Sequence, residues 1–313
     1  MRRKKMPSMF QRLMQWLSAT LLIFVFLKGP VYGGIALLFL PYNMMLYRLI
    51  AKRNEVWSFS LLVTLVSGVL SSVPEGVFVL TSLVSGIWMG ESILKGKSKI
   101  DIYIQVAFIW IVGTVISYVS AFVVYGVNWL EKLQTHFYNN ESVVIELLQS
   151  FNEDDKEIPT LVREGFLFYE LSFPTLFIVA AFVTAWLVLT IAFTFGKLLN
   201  IPFPKFPKWS TLQFPLLLIF VYGGVLLITL FGSVEVGSDA HVFLLNSSHL
   251  LKILFVLQGV SFFRYALEKA NASKFITLVV TLIALLLSSI TVLIGILDIG
   301  MRLRDWVDRK ADN

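Results

Sequence analysis

The chain has 313 residues, of which 57% are hydrophobic and 15% charged, far to the apolar side of soluble domains at about 25% charged. It contains no cysteine, which excludes disulfides, thiolate catalysis and cysteine-based metal sites. The net charge of +6 would suit nucleic acid or anionic lipid, but the basic residues gather at the ends of apolar runs, so they argue for membrane topology and against nucleic acid.

The opening segment, MRRKKMPSMFQRLMQWLSATLLIFVFL, has the charged start and apolar core of a signal peptide. No small-x-small cleavage site follows Leu27, so it reads as an uncleaved first helix. Apolar runs near 15–28, 31–50, 56–73, 76–94, 102–128, 170–197, 212–233, 246–267 and 274–298 then follow. Most approach the roughly 20 residues that cross about 30 Å of hydrocarbon. Gly29-Pro30 breaks the first two, because proline removes a helical N–H and glycine favours turns. The expected fold class is all-α: a polytopic integral membrane protein with eight or nine transmembrane helices and one amphipathic extracytoplasmic loop. The expected division is 1–128 for the first membrane helices, 129–169 for the loop, and 170–313 for the remaining helices and a charged tail.

In TSLVSGIWMGESILKGK, Ser82, Gly86 and Gly90 are spaced by four and line one helix face, which suits close helix packing. Glu91 and Lys95 form an i, i+4 pair at its end. The hydrophilic stretch 129–169 carries Val143, Val144, Leu147, Leu148 and Phe151 at helical spacing until Pro159 ends the pattern, which predicts an amphipathic cap. Its acidic residues Glu153, Asp154, Asp155 and Glu157 match no calcium-loop spacing and read as a solvated charge run. Prolines exclude a helix from NIPFPKFPKWSTLQFP, whose aromatics and lysines suit either a headgroup anchor or a docking surface.

The run HVFLLNSSHLLKILFVLQGVSFFRYAL holds unusual polarity. Ser248, His249, Lys252 and Gly259 fall within an arc of about 100°, with Asn246 and Gln258 off it. Two readings stand. Either Lys252 reaches the headgroups from near a helix end, or Ser248, His249 and Lys252 line a water-accessible cavity for a polar or anionic solute, joined by Lys28 and Glu75 from neighbouring helix ends. Asn246 or Ser247 would then be the helix N-cap. At the last helix end, Asp298 and Arg302 stand at i, i+4 and are expected to pair.

With the N-terminus inside, the inner segments hold seventeen Lys and Arg and the outer connections four: Lys28, Lys132, Lys156 and Arg163. The basic tail MRLRDWVDRKADN favours the inside, hence eight crossings, whereas nine would put it outside. The three histidines, His136, His241 and His249, form no HExxH, and there is no P-loop, GxGxxG or GxSxG. No cofactor or metal is expected.

The order LPYNMMLYRLIAKR, SGIWMGESILKGK, a central amphipathic loop, FPKFPKWS, NSSHLLKILFVLQGVSF and IGILDIGMRLRDW resembles the YybS-like bacterial membrane proteins, a family of unknown function. That family is distantly similar to the substrate-binding components of energy-coupling-factor transporters. The similarity implies an N-terminus inside, a ligand cavity opening outward and KGPVYGG as a lid. Those components dock a coupling partner through alanines spaced by four on the first helix, whereas here only Ser18 and Ala19 stand in QRLMQWLSATLLIFVFL. The expected protein is thus a non-enzymatic, multi-pass component of the bacterial inner membrane, binding or transporting a small polar or anionic solute, with a coupling subunit or other membrane protein as partner. The alternative is a structural or regulatory envelope protein acting through protein partners.

Overall fold

A computed structural model describes residues 9–28, 30–151, 157–197 and 203–311. Among these residues the regular elements are helices, apart from a 3-10 turn at Trp209–Thr211. In chain order they are α1 Met9–Lys28, α2 Pro30–Ile50, α3 Arg53–Leu70, α4 Val73–Leu94, α5 Lys99–Tyr125, α6 Trp129–Tyr138 and α7 Glu141–Gln149. There follow α8 Ile158–Leu171, α9 Phe173–Lys197, α10 Leu217–Phe231, α11 Asp239–Lys269, α12 Lys274–Leu286, α13 Ser288–Met301 and α14 Leu303–Ala311. Serines open several of them by accepting a backbone N–H: Ser72 from Glu75, Ser98 from Asp101, Ser238 from His241 and Ser273 from Ile276.

Each of the nine apolar runs contains helix, but fewer than the expected eight or nine qualify as spans. Among the described residues five helices are long and apolar enough, or six if α12 and α13 count as one broken span. The shortfall has three causes. The apolar parts Met14–Lys28 and Leu217–Phe231 are short; α3 opens on the polar Arg53, Asn54 and Glu55, which shorten its apolar part; and α12 and α13 are bent by 104° at Leu287. The Thr291 hydroxyl donates to the Ala284 carbonyl across that bend, at 2.5 Å, satisfying an acceptor that the broken helix leaves open.

The chain divides into two compact units, Met1–Val162 with Phe177–Phe206, and Arg163–Leu176 with Pro207–Asn313. The chain passes between the units within α8, within α9 and again between Phe206 and Pro207.

In the first unit, α4 packs between α2 and α5 at small residues. Ser82 donates to the Leu37 carbonyl at 2.7 Å. A Cβ on Gly86 would collide with the Pro41 carbonyl and come within 2.7 Å of Met44 Cβ, and one on Gly90 would lie 2.8 Å from Arg48 Cβ. Ser82, Gly86 and Gly90 therefore all face α2. Lipid tails provide no hydrophobic drive for helix association, so such close backbone approach supplies dispersion contact instead. Met45, Met89, Ile102, Trp110 and Leu189 fill the core beside it. Glu91 pairs with Arg48 at 2.9 Å rather than with Lys95, and Arg12 pairs with Glu55 at 3.1 Å.

In the second unit α10, α11 and α13 enclose Val225, Leu244, Leu251 and Phe255. Gly259 meets the backbone of Thr291, and Gly295 that of Phe255, so α11 and α13 cross in near contact. The tail helix α14 returns to the C-terminal half of α11. Asp308 accepts from Lys269 at 2.7 Å and from Tyr265 at 2.5 Å. These two donors, Lys269 first, hold the Asp308 carboxyl below the usual carboxylate range. The tail thus lies at the end of α11 that carries Lys269.

Candidate functional site

Helix α11 begins at Asp239, well before the expected Asn246 or Ser247, because Ser238 supplies the cap. Asn246 is instead a buried bridge. Its Oδ1 accepts from the Thr175 amide at 2.8 Å and hydroxyl at 2.7 Å, while its Nδ2 donates to the Leu171 and Val242 carbonyls, both at 2.7 Å. It thereby satisfies backbone groups left open where α8 gives way to α9.

The early start places Lys252 thirteen residues inside α11, about 20 Å along it. Lys252 is exposed, and Ser248 and His249 are half-buried, with the His249 ring 5.2 Å from that of Phe168. Lys28 and Glu75 are exposed and belong to the first unit.

A different group of polar residues converges further along α11. Between α13 and α14, Arg302 takes a left-handed φ of 51°. That turn brings Arg304 back beside α13, where its Nε donates to Asp298 Oδ2 at 3.1 Å. The expected partner of Asp298 was Arg302. The structure gives Arg304, because the helix ends at Met301 and the i, i+4 relation no longer holds. Asp298 and Arg304 are 5% and 6% exposed, so the pair is buried and must be satisfied in full.

It is satisfied by the proline-rich segment and α11. Arg304 also donates to the Ser210 carbonyl at 2.6 Å, the Leu212 carbonyl at 2.8 Å and Ser261 Oγ at 2.9 Å. Gln258 Nε2 donates to Asp298 at 2.6 Å, and Gln258 Oε1 accepts from the Phe214 amide at 2.9 Å. Segment 203–216 lacks regular helical hydrogen bonds over most of its length, so its carbonyls need donors from elsewhere, and the planar guanidinium fork meets two of them together.

Beside this network lies a cavity of about 400 Å³, lined by Gln213, Phe214, Gln258, Asp298, Arg302 and Asp305 among others. Arg304 and Gln258 are committed to the wall. Arg302 and Asp305 are exposed beside them and offer opposite charges to whatever enters. Ser248, His249 and Lys252 do not line it. Gln258 did stand off the polar arc in the sequence, since it faces α13. No comparable signal marked Arg304, six residues beyond its partner. Among the described residues no group of three or more His, Asp or Glu could hold a metal ion. Glu153, Asp154 and Asp155 lie outside the described residues.

Residues 17–299 match the family model described as a predicted membrane protein, DUF2232. The chain belongs to the DUF2232 membrane-protein family. Within that match lie Gln258, Ser261 and Asp298, while Arg302 and Arg304 follow it directly. The DUF2232 chain is also 24% identical over 288 residues to "Uncharacterized protein YybS" of Bacillus subtilis (strain 168), covering 89% of this chain and 91% of that protein. The expected YybS-like membership is thereby shown. No solved structure matches.

Proposed function

We propose that this protein is a small-solute binding or transport-type component of the bacterial inner membrane, and that its site is the cavity walled by Asp298, Arg304 and Gln258. The observation that carries this reading is a cavity whose shape is held by a fully bonded buried pair, leaving Arg302 and Asp305 to meet a ligand. Its volume, about 400 Å³, falls in the range of small-molecule sites. The solute is small and polar, with an anionic group to face Arg302. Ser248, His249, Lys252, Lys28 and Glu75 are the weaker alternative, because Lys252 is exposed and the cavity lies elsewhere.

Coupling in the manner of energy-coupling-factor components is disfavoured. Ala19 is fully buried and Ser18 accepts a hydrogen bond from Asn43, so the small residues of α1 are used inside the unit.

Native mass spectrometry of the full chain, extracted from its own membrane, tests the proposal. The expected result is a small-molecule adduct that disappears in Arg302→Glu while the thermal midpoint stays unchanged. No adduct on the unaltered chain, or the same adduct on both, would overturn it. Copurifying envelope proteins in place of an adduct would favour the structural or regulatory reading.

The N-terminus is proposed to be cytoplasmic on the strength of the basic-residue bias; the same bias, through Lys269 and Lys274, supports a cytoplasmic side for the end of α11 on which α14 docks. In this cysteine-free chain, Lys97→Cys and Trp306→Cys should resist an impermeant maleimide in intact cells while Asp154→Cys reacts. The reverse pattern would invert the topology, and labelling at 306 together with 154 would detach the tail from the inner side.

A further inference from the structure

Helix α5 has 27 residues, about 40 Å of helix, close to the full thickness of a bilayer with its headgroups. It stops at Gly126, whose φ of 64° turns the chain while its N–H and that of Val127 close back on the Phe122 and Ala121 carbonyls. Helix α6 starts three residues later at Trp129. It therefore begins within a turn of the end of a candidate membrane span.

Both α6 and α7 are divided lengthwise. On α6, Glu131, Lys132, Thr135 and His136 line an open cavity of about 470 Å³ with Asn139 just after the helix and the Gly126–Asn128 turn. The opposite face presents Leu130 and Leu133, 36% and 52% exposed, with Trp129 at the border beneath the Lys132 ammonium. On α7, Val143 and Leu147 form one face, 59% and 58% exposed, and Phe151, 82% exposed, follows on the turn after it. No residue of α7 is buried. At the end of α5, Phe122, Val123 and Val124 are exposed too, just before the turn.

We propose that the apolar faces of α6 and α7 lie on the lipid surface at the end of α5, sunk to the boundary between headgroups and acyl chains. Three observations identify lipid as the occupant: the exposed apolar residues at the end of a candidate span, the short turn that holds α6 at that level, and the polar face of α6 turned to an open cavity. The division into an apolar and a solvated face is that of an interfacial helix. Attraction to anionic lipid contributes little, since the two helices carry Glu131, Glu141 and Glu146 against Lys132. Apolar burial drives the contact, which should therefore persist in high salt.

The test uses the full-length protein in phosphatidylcholine vesicles, with an environment-sensitive fluorophore on Leu133→Cys, Leu147→Cys, Thr135→Cys or Glu146→Cys. Labels at 133 and 147 should emit to the blue and be quenched by shallow doxyl-lipid roughly twofold more than those at 135 and 146, as for a helix half-sunk in the interface. The difference should survive molar salt. Water-like emission at 133 and 147 would overturn the proposal, as would quenching lost in salt. Blue emission without lipid quenching would also overturn it, and would show that a second copy or another protein covers these faces.

Discussion

Replacing Arg304 by methionine should destabilise the second unit by about 3–5 kcal/mol, the usual cost of stranding one member of a buried ion pair. Asp298 would keep only its bond from Gln258, while the Ser210 and Leu212 carbonyls would lose their guanidinium donor. Arg302→Ala, two residues away, should change stability by less than about 0.5 kcal/mol, as expected of an exposed charge without a tight partner. Differential unfolding in detergent or in a nanodisc measures both. The combination Asp298→Leu with Arg304→Met separates the pair from mere side-chain volume. It should recover part of the loss, because removing both charges also removes the stranded carboxylate, and the remaining deficit reports the loop carbonyls. Equal small effects from Arg304→Met and Arg302→Ala would show that the network does not hold the segment.

Gly86→Leu should abolish the yield of folded protein, or destabilise it at or above the top of the roughly 1–3 kcal/mol typical of overpacked cores. The added side chain would meet the Pro41 carbonyl and Met44 Cβ, backbone and near-backbone atoms that no rotamer change can move away. The α2 and α4 backbones would have to separate, with the loss of the Ser82 bond to Leu37. Gly223→Ala in α10 is the matched control. Nothing lies within 4 Å of its added Cβ, so it should be neutral or gain up to about 1 kcal/mol from lost unfolded-state entropy. Yield and thermal midpoint of the two variants decide the matter, and equal behaviour would remove close packing as the reason for glycine at this position.

Much of the architecture was legible in the chain. The apolar runs became helices because a segment in lipid must satisfy its own backbone, and the helix is the local way to do so. Ser82, Gly86 and Gly90 were readable as one face because spacing by four is a property of the helix itself. The helical spacing of Val143 and Leu147 on α7 was readable for the same reason. The bounds of α11 were less so. Both Ser238 and Asn246 are competent caps, and only the contacts of Asn246 with Leu171 and Thr175 explain why it sits inside the helix.

The sequence by itself determined the all-helical membrane character and the faces along each helix, since composition and periodicity act within a few turns. Tertiary structure alone decided which polar groups meet. Asp298 finds Arg304 rather than Arg302 because a left-handed residue intervenes, and Gln258 becomes a wall of the cavity because Gly259 and Gly295 let α11 and α13 approach backbone to backbone. The same left-handed turn precedes α14, which lies on α11 with Asp308 bonded to Tyr265. Partners for buried charges and carbonyls are chosen by where the backbones cross, and burial makes any unmet group costly enough that the chain must provide one.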